Sequence, residues 1–223
     1  MKIVDGVYQV DSVNCNVYLI EEPDGLTLID SGLPRSDKKI LKYIEELGHK
    51  HADLKTIVIT HFHIDHVGGL KKVKDATGAK VAVHLADANI VAGKEPAPKP
   101  KNLVFRALGS VFKASAVEPD LLLNDGDRVA ELLVIHVPGH SEGSIALLDE
   151  KRKVLFAGDA ARFVDGKLQG PPEQYTLDMA KAKESIKKLA TFNFEVMLSG
   201  HGQPLTTQAS KKLEEFETSM QSK

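Results

Sequence analysis

Residues 60–66 read Thr-His-Phe-His-Ile-Asp-His, so one short stretch holds three of the chain's nine histidines and an aspartate. Imidazole and carboxylate side chains in that density suit metal binding. The apolar run "TIVIT" leads straight into the stretch, so His61 and His63 leave the end of a strand. In extended chain, residues two apart point to the same side, and both rings can reach one cation. Asp65 and His66 follow where the chain turns into "VGGLKKV". Gly68 and Gly69 permit an abrupt turn and close backbone packing there, so these two side chains can address a second point beside the first. A cation needs more ligands than one segment supplies, and three later positions repeat the setting. "LLVIHV" runs into "PGH" and His140, "KVLFAGD" ends in Asp159, and "FEVMLSGH" ends in His201. Histidine and aspartate together suit zinc, iron or manganese. The lack of nearby cysteine argues against a closed structural zinc site.

The elements that must position these residues are legible in outline. "VYQV", "NVYLIEE" and "LTLID" read as an antiparallel opening, with "EPDG" as a turn between the last two. Residues 36–47 place Ile40, Leu41, Ile44 and Leu47 on one helical face, with Ser36 as N-cap and Gly48 as stop. "TIVIT" is a buried strand, followed by a helix over about 67–76 and the strand "KVAVH". Later strands are "LLVIHV", "SIALLD", "KVLFAGD" and "FEVMLSG", and helices fit 177–190 and 207–220. Helices alternating with short apolar strands predict an α/β layered domain. Residues 86–118 break the rhythm. "GKEPAPKPK" carries three prolines among lysines and cannot be regular structure. "NLVFRALGSVFKAS" then reads as a helix with an apolar face. The segment is either a solvated loop with a packed helix or a cap over a site, in which Phe105 and Phe112 contact an acyl group.

Composition narrows the class. With 223 residues and a net charge of −2, one domain spanning 1–223 is expected, and nothing marks a nucleic-acid partner. Cys15 is the sole cysteine, so no intrachain disulfide forms, which fits a reducing compartment. The N-terminus alternates rather than running apolar, and no stretch suits a membrane span. The expectation is a cytoplasmic protein acting on a small molecule, of unstated oligomeric state. His84 and His136, in or at the end of apolar strands, read as packed residues, and His49 and His51 as solvated ones.

His-x-His-x-Asp-His followed by isolated His140, Asp159 and His201 resembles the metallo-β-lactamase-fold hydrolase superfamily. The likeness extends to "LIDSG", "PGHSEGS" and "FAGD", over about residues 3–205. It implies a four-layer αββα sandwich with a two-metal cleft. It also implies that His61, His63 and His140 hold one metal, that Asp65, His66 and His201 hold the other, and that Asp159 bridges them. Asp30 is implied as a carboxylate that orients ligands. Two divalent ions, Zn²⁺ first with iron or manganese as alternatives, are the expected cofactors. A shared water with lowered pKa is then the nucleophile, and Asp65 can also hydrogen-bond it.

Departures from the pattern sort the chemistries. Asp159 argues against a true β-lactamase, and His63 stands where flavodiiron proteins have glutamate. The long glyoxalase II type carries a helical C-terminal region that has no counterpart after His201. Many acyl-homoserine lactonases have tyrosine three residues after the bridging aspartate, where this chain has Arg162. Three readings stay open: an ester, thioester or lactone hydrolase of the glyoxalase II-like or lactonase-like branch; a phosphodiesterase or nuclease; and a mononuclear-iron sulfur dioxygenase. Lys94, Lys99 and Lys101 lean toward an anionic substrate or are simply an exposed lysine-rich loop.

Overall fold

The computed structural model describes residues 1–10, 15–98 and 114–221. The chain divides into two compact units, Met1–Leu123 and Asn124–Lys223. The expected helix of "NLVFRALGSVFKAS", with Phe105 and Phe112, and Lys99 and Lys101 lie outside the described residues, save for the helix's last two positions.

In the first unit seven strands form one sheet in sequence order. β1 (Lys2–Val4), β2 (Val7–Val10), β3 (Val17–Glu22) and β4 (Gly25–Ile29) run antiparallel. β5 (Leu54–Ile59), β6 (Lys80–His84) and β7 (Leu121–Leu123) add in parallel. Parallel neighbours need a crossover, and helices supply it. α1 (Asp37–Glu46) lies between β4 and β5, α2 (Ile64–Val67) and α3 (Leu70–Thr77) between β5 and β6, and α4 (Leu85–Val91) follows β6. Ile40 and Ile44 of α1 and Leu70 and Val73 of α3 join Leu28, Ile57, Ile59, Val81 and Val83 in one buried cluster. Each such side chain, taken from water, contributes about 1.5–3 kcal/mol before the entropy of ordering is counted. Val58 is buried as well, which is why "TIVIT" reads as an apolar run rather than an alternation.

The second unit holds a five-stranded sheet in the order β14-β11-β10-β9-β8. β8 (Arg128–Val129), β9 (Leu132–His136), β10 (Ile145–Asp149) and β11 (Val154–Gly158) pair antiparallel, and β14 (Val196–Ser199) lies parallel to β11. Between β11 and β14 the chain makes the hairpin β12 (Arg162–Val164) and β13 (Lys167–Gln169), then α5 (Met179–Leu189). α6 (Ala209–Gln221) closes the unit. Ile186, Leu189 and Leu213 of the helices cluster with Leu148, Leu155, Ala157 and Met197 of the strands.

The structure departs from the sequence expectations in three places. The helix over 67–76 is two helices, because Gly68 and Gly69 sit where the chain crosses the 31–34 loop. A Cβ on Gly68 would lie 2.3 Å from Pro34 N, and one on Gly69 would lie 2.4 Å from the Ser31 carbonyl oxygen. Ser36 occupies the N-cap position of α1, but its backbone is helical and its side chain makes no cap bond. Part of the 86–118 stretch is regular, since α4 occupies residues 85–91. Among the described residues no helix is long and apolar enough to cross a membrane.

Candidate metal centre

In the first unit, chemistry gathers at the C-terminal ends of β4 and β5, the end of a parallel pair where ligands commonly bind. These strands are parallel neighbours, so Asp30 and Thr60, one residue beyond each, meet. The Thr60 amide donates to Asp30 Oδ1 at 2.8 Å and its hydroxyl to Oδ2 at 2.8 Å. Asp30 is buried with φ +60, a conformation few non-glycine residues take and that often marks a working site. Its Oδ2 also lies 2.8 Å from His66 Nδ1. A carboxylate there places the ring proton on Nδ1 and the lone pair on Nε2. The His66 carbonyl accepts from both the amide and the hydroxyl of Ser31. Thr60 acts likewise on His61. Its one proton goes to Asp30, so its oxygen accepts from His61 Nδ1 at 3.1 Å, again setting the lone pair on Nε2.

His61, His63 and His66 are brought together. His61 Nε2 stands 3.0 Å from His63 Nδ1, and the His61 and His66 ring centroids are 3.9 Å apart. Asp65 and His66 share α2, with Asp65 Oδ2 4.0 Å from His66 Nε2. Asp87, buried on α4, accepts from the Phe62 amide at 3.1 Å and so fixes the backbone between His61 and His63. Cys15 Sγ lies 3.5 Å from His66 Nδ1. Burial pushes that thiol's pKa up to about 12, so it is no ready nucleophile.

In the second unit, β11 and β14 are parallel neighbours and end together. Asp159 and His201 follow these ends, tied by the Gly200 amide donating to the Gly158 carbonyl at 2.8 Å. His140 sits in the turn between β9 and β10, and it is buried, as is Asp159. His140 Nε2 is 3.4 Å and His201 Nε2 is 3.6 Å from the same oxygen, Asp159 Oδ2. On its other side His140 Nδ1 meets Thr176 Oγ1 at 3.3 Å, and the Thr176 hydroxyl donates to the Pro172 carbonyl at 2.8 Å. The hydroxyl proton is thereby committed, so Thr176 accepts from Nδ1–H and Nε2 presents its lone pair toward Asp159. A lone pair facing a carboxylate is an arrangement that a cation between them reconciles. The donor set therefore fits a divalent metal.

The other histidines keep the bland roles their settings suggest. His84 caps α4 by accepting from the Ala86 amide, and His136 Nε2 meets the Glu142 carbonyl. His49 pairs with Glu21, and His51 with Glu45. Residues 139–143, Gly-His-Ser-Glu-Gly, also have the spelling of a serine-nucleophile elbow. Such an elbow joins a strand to a helix and exposes its hydroxyl. Here the segment joins two antiparallel strands, and Ser141 is fully buried with its hydroxyl 2.9 Å from that of Ser144.

The family model described as "Metallo-beta-lactamase superfamily" matches residues 10–201. The chain belongs to that superfamily. A Bacillus subtilis relative, "Probable metallo-hydrolase YflN", is 33% identical over 225 residues, covering 90% of this chain and 85% of its own. The bovine "Acyl-coenzyme A thioesterase MBLAC2" is 33% identical over 180 residues, covering 69% of this chain and 60% of its own. The solved structure of BJP-1, a subclass B3 metallo-β-lactamase of Bradyrhizobium japonicum, matches with a TM-score of 0.75 at 27% identity, covering 100% of this chain and 90% of that one. The mixed α/β architecture is thus the metallo-β-lactamase fold, and the chain is a metallo-hydrolase of that superfamily.

Proposed function

We propose that this metallo-hydrolase cleaves an ester, thioester or lactone bond in a small molecule with two divalent metals, Zn²⁺ first among them. His61, His63 and His140 hold one ion, Asp65, His66 and His201 hold the other, and Asp159 bridges. The observation that carries the reading is Asp159 Oδ2 standing 3.4 Å from His140 Nε2 and 3.6 Å from His201 Nε2. One carboxylate oxygen thus faces one imidazole from each proposed ligand set. The name of the bovine relative adds weight to a thioester substrate.

Two divalent cations held by these residues would supply a hydroxide nucleophile near neutral pH and polarisation of the attacked carbonyl oxygen. The chain's own residues do the rest. Asp30, Thr60 and Thr176 hold the protons of His66, His61 and His140 on Nδ1, so that each ring offers Nε2. Asp87 holds the backbone between His61 and His63. Asp65, about a quarter exposed, accepts a hydrogen bond from the attacking water and orients it. Residues 86–118 select among acyl groups.

Protein loaded separately with zinc, manganese and iron, assayed on a thioester and on a phosphodiester, tests the reading. Thioester cleavage that tracks metal content supports it. Cleavage of the phosphodiester alone would replace it with a phosphodiesterase. Sulfur oxidation with one iron per chain would replace it with a dioxygenase.

A further inference from the structure

We infer that Arg162 selects the substrate: it supplies a fixed cation beside His201 that favours esters and thioesters bearing a carboxylate or phosphate near the scissile bond. The inference rests on the hydrolase reading above. Arg162 opens β12, three residues after Asp159. That strand is pinned to the segment carrying His201. Phe163 and Gly202 form a parallel bridge, and the Gln203 amide donates to the Phe163 carbonyl at 2.8 Å. One residue earlier on each chain stand Arg162 and His201, so the register sets them side by side. Gly202 makes the approach possible. Its φ is +93, and a Cβ there would lie 2.2 Å from the Phe163 carbonyl oxygen, closer than any side chain tolerates.

The guanidinium is held in place but not neutralised. Its Nε donates to the Gly170 carbonyl at 3.2 Å and its Nη2 to Gln169 Oε1 at 3.1 Å. Gln169 is also its partner across the hairpin. Both acceptors are uncharged, and among the described residues no carboxylate pairs with it. Arg128 and Arg152, by contrast, pair with Glu150 and Asp149. Arg162 is half-buried, and a partly desolvated charge without a counter-ion is a cost that a purely structural clamp does not need. The two bonds fix the plane of the fork and leave its outer edge, one proton each on Nη1 and Nη2, for a planar, bidentate acceptor such as carboxylate or phosphate. An anionic group on the substrate supplies the missing counter-charge.

Two probe pairs differ only in charge: 3-acetylthiopropionate and its amide, with the charge on the leaving group, and S-ethyl thiosuccinate and its amide, with the charge on the acyl group. Zinc-loaded wild type should show the lower KM for the acid in at least one pair. Arg162→Met should raise that KM by about tenfold to a hundredfold, the worth of one charge-assisted contact, and leave the amide and the metal content unchanged. Arg162→Lys should fall between, since it keeps the charge and loses the fork. Equal KM for acid and amide in both pairs would overturn the inference. So would equal loss on acid and amide in Arg162→Met, which would make the residue a hairpin clamp. Melts of the zinc-loaded protein with succinate and succinamide read binding without turnover. Succinate should raise the melting temperature of the wild type and not of Arg162→Met, whereas an equal rise in both would reject the role. If none of the four substrates is cleaved above a metal-free control, the hydrolase reading falls, and the melts still decide Arg162.

Discussion

Thr176 determines which nitrogen of His140 carries the proton, although it touches no proposed metal position. Its hydroxyl proton goes to Pro172, so its oxygen can only accept. Thr176→Val keeps the shape and removes the acceptor. It should weaken zinc binding by about 10- to 100-fold, the usual cost of losing such a partner. Thr176→Ser should restore it, and competition with a chromogenic chelator reads both. Asp159→Ala should remove turnover and pairing of the metals while leaving the melting curve of the metal-free protein unchanged, because alanine offers no oxygen between two cations that repel. Two metals and full activity in that variant would show that Asp159 is not the bridge. The histidines and aspartates were visible in the sequence because few residue types bind metals and their spacing follows strand ends. Thr60, Asp87 and Thr176 were not. Each matters through a contact whose geometry only the fold creates, and nothing local in "TH", "LADAN" or "QYTLD" marks it.

At the scale of elements, the loop bearing His140 is anchored on the start of α5. The Asp178 amide donates to the Gly139 carbonyl, while its side chain accepts from the amides of Ala180 and Lys181. Asp178→Ala removes an N-cap and should cost about 0.5–2 kcal/mol, read by denaturant unfolding. Strands β5, β9, β10, β11 and β14 were legible because their apolar runs are buried or nearly so throughout. The hairpin of β12 and β13 was passed over, although its signal is there. Asp165-Gly166 takes positive φ at both residues, the turn that Asp-Gly favours. Short strands around it, neither fully apolar nor cleanly alternating, hid the pattern. The break between α2 and α3 was hidden for a different reason. A glycine pair reads as a tolerable helix interior until the crossing chain at Pro34 and Ser31 is known.

For the whole molecule, metal content, stability and hydrolysis should rise and fall together. Stripping the metal with a chelator should lower the melting temperature and abolish hydrolysis together, since ions that bind only the folded chain stabilise it. Returning zinc should restore both. The superfamily was legible because order and spacing of the ligands carry it. The substrate was not, because the ligand spacing says nothing of the residues that choose it, and the roles proposed for Arg162 and for 86–118 are for experiment to test. Elemental analysis of fully reconstituted, desalted protein decides whether Asp159 bridges a metal pair. It should find two divalent ions per chain in the wild type; a maximum of one would rule the pair out.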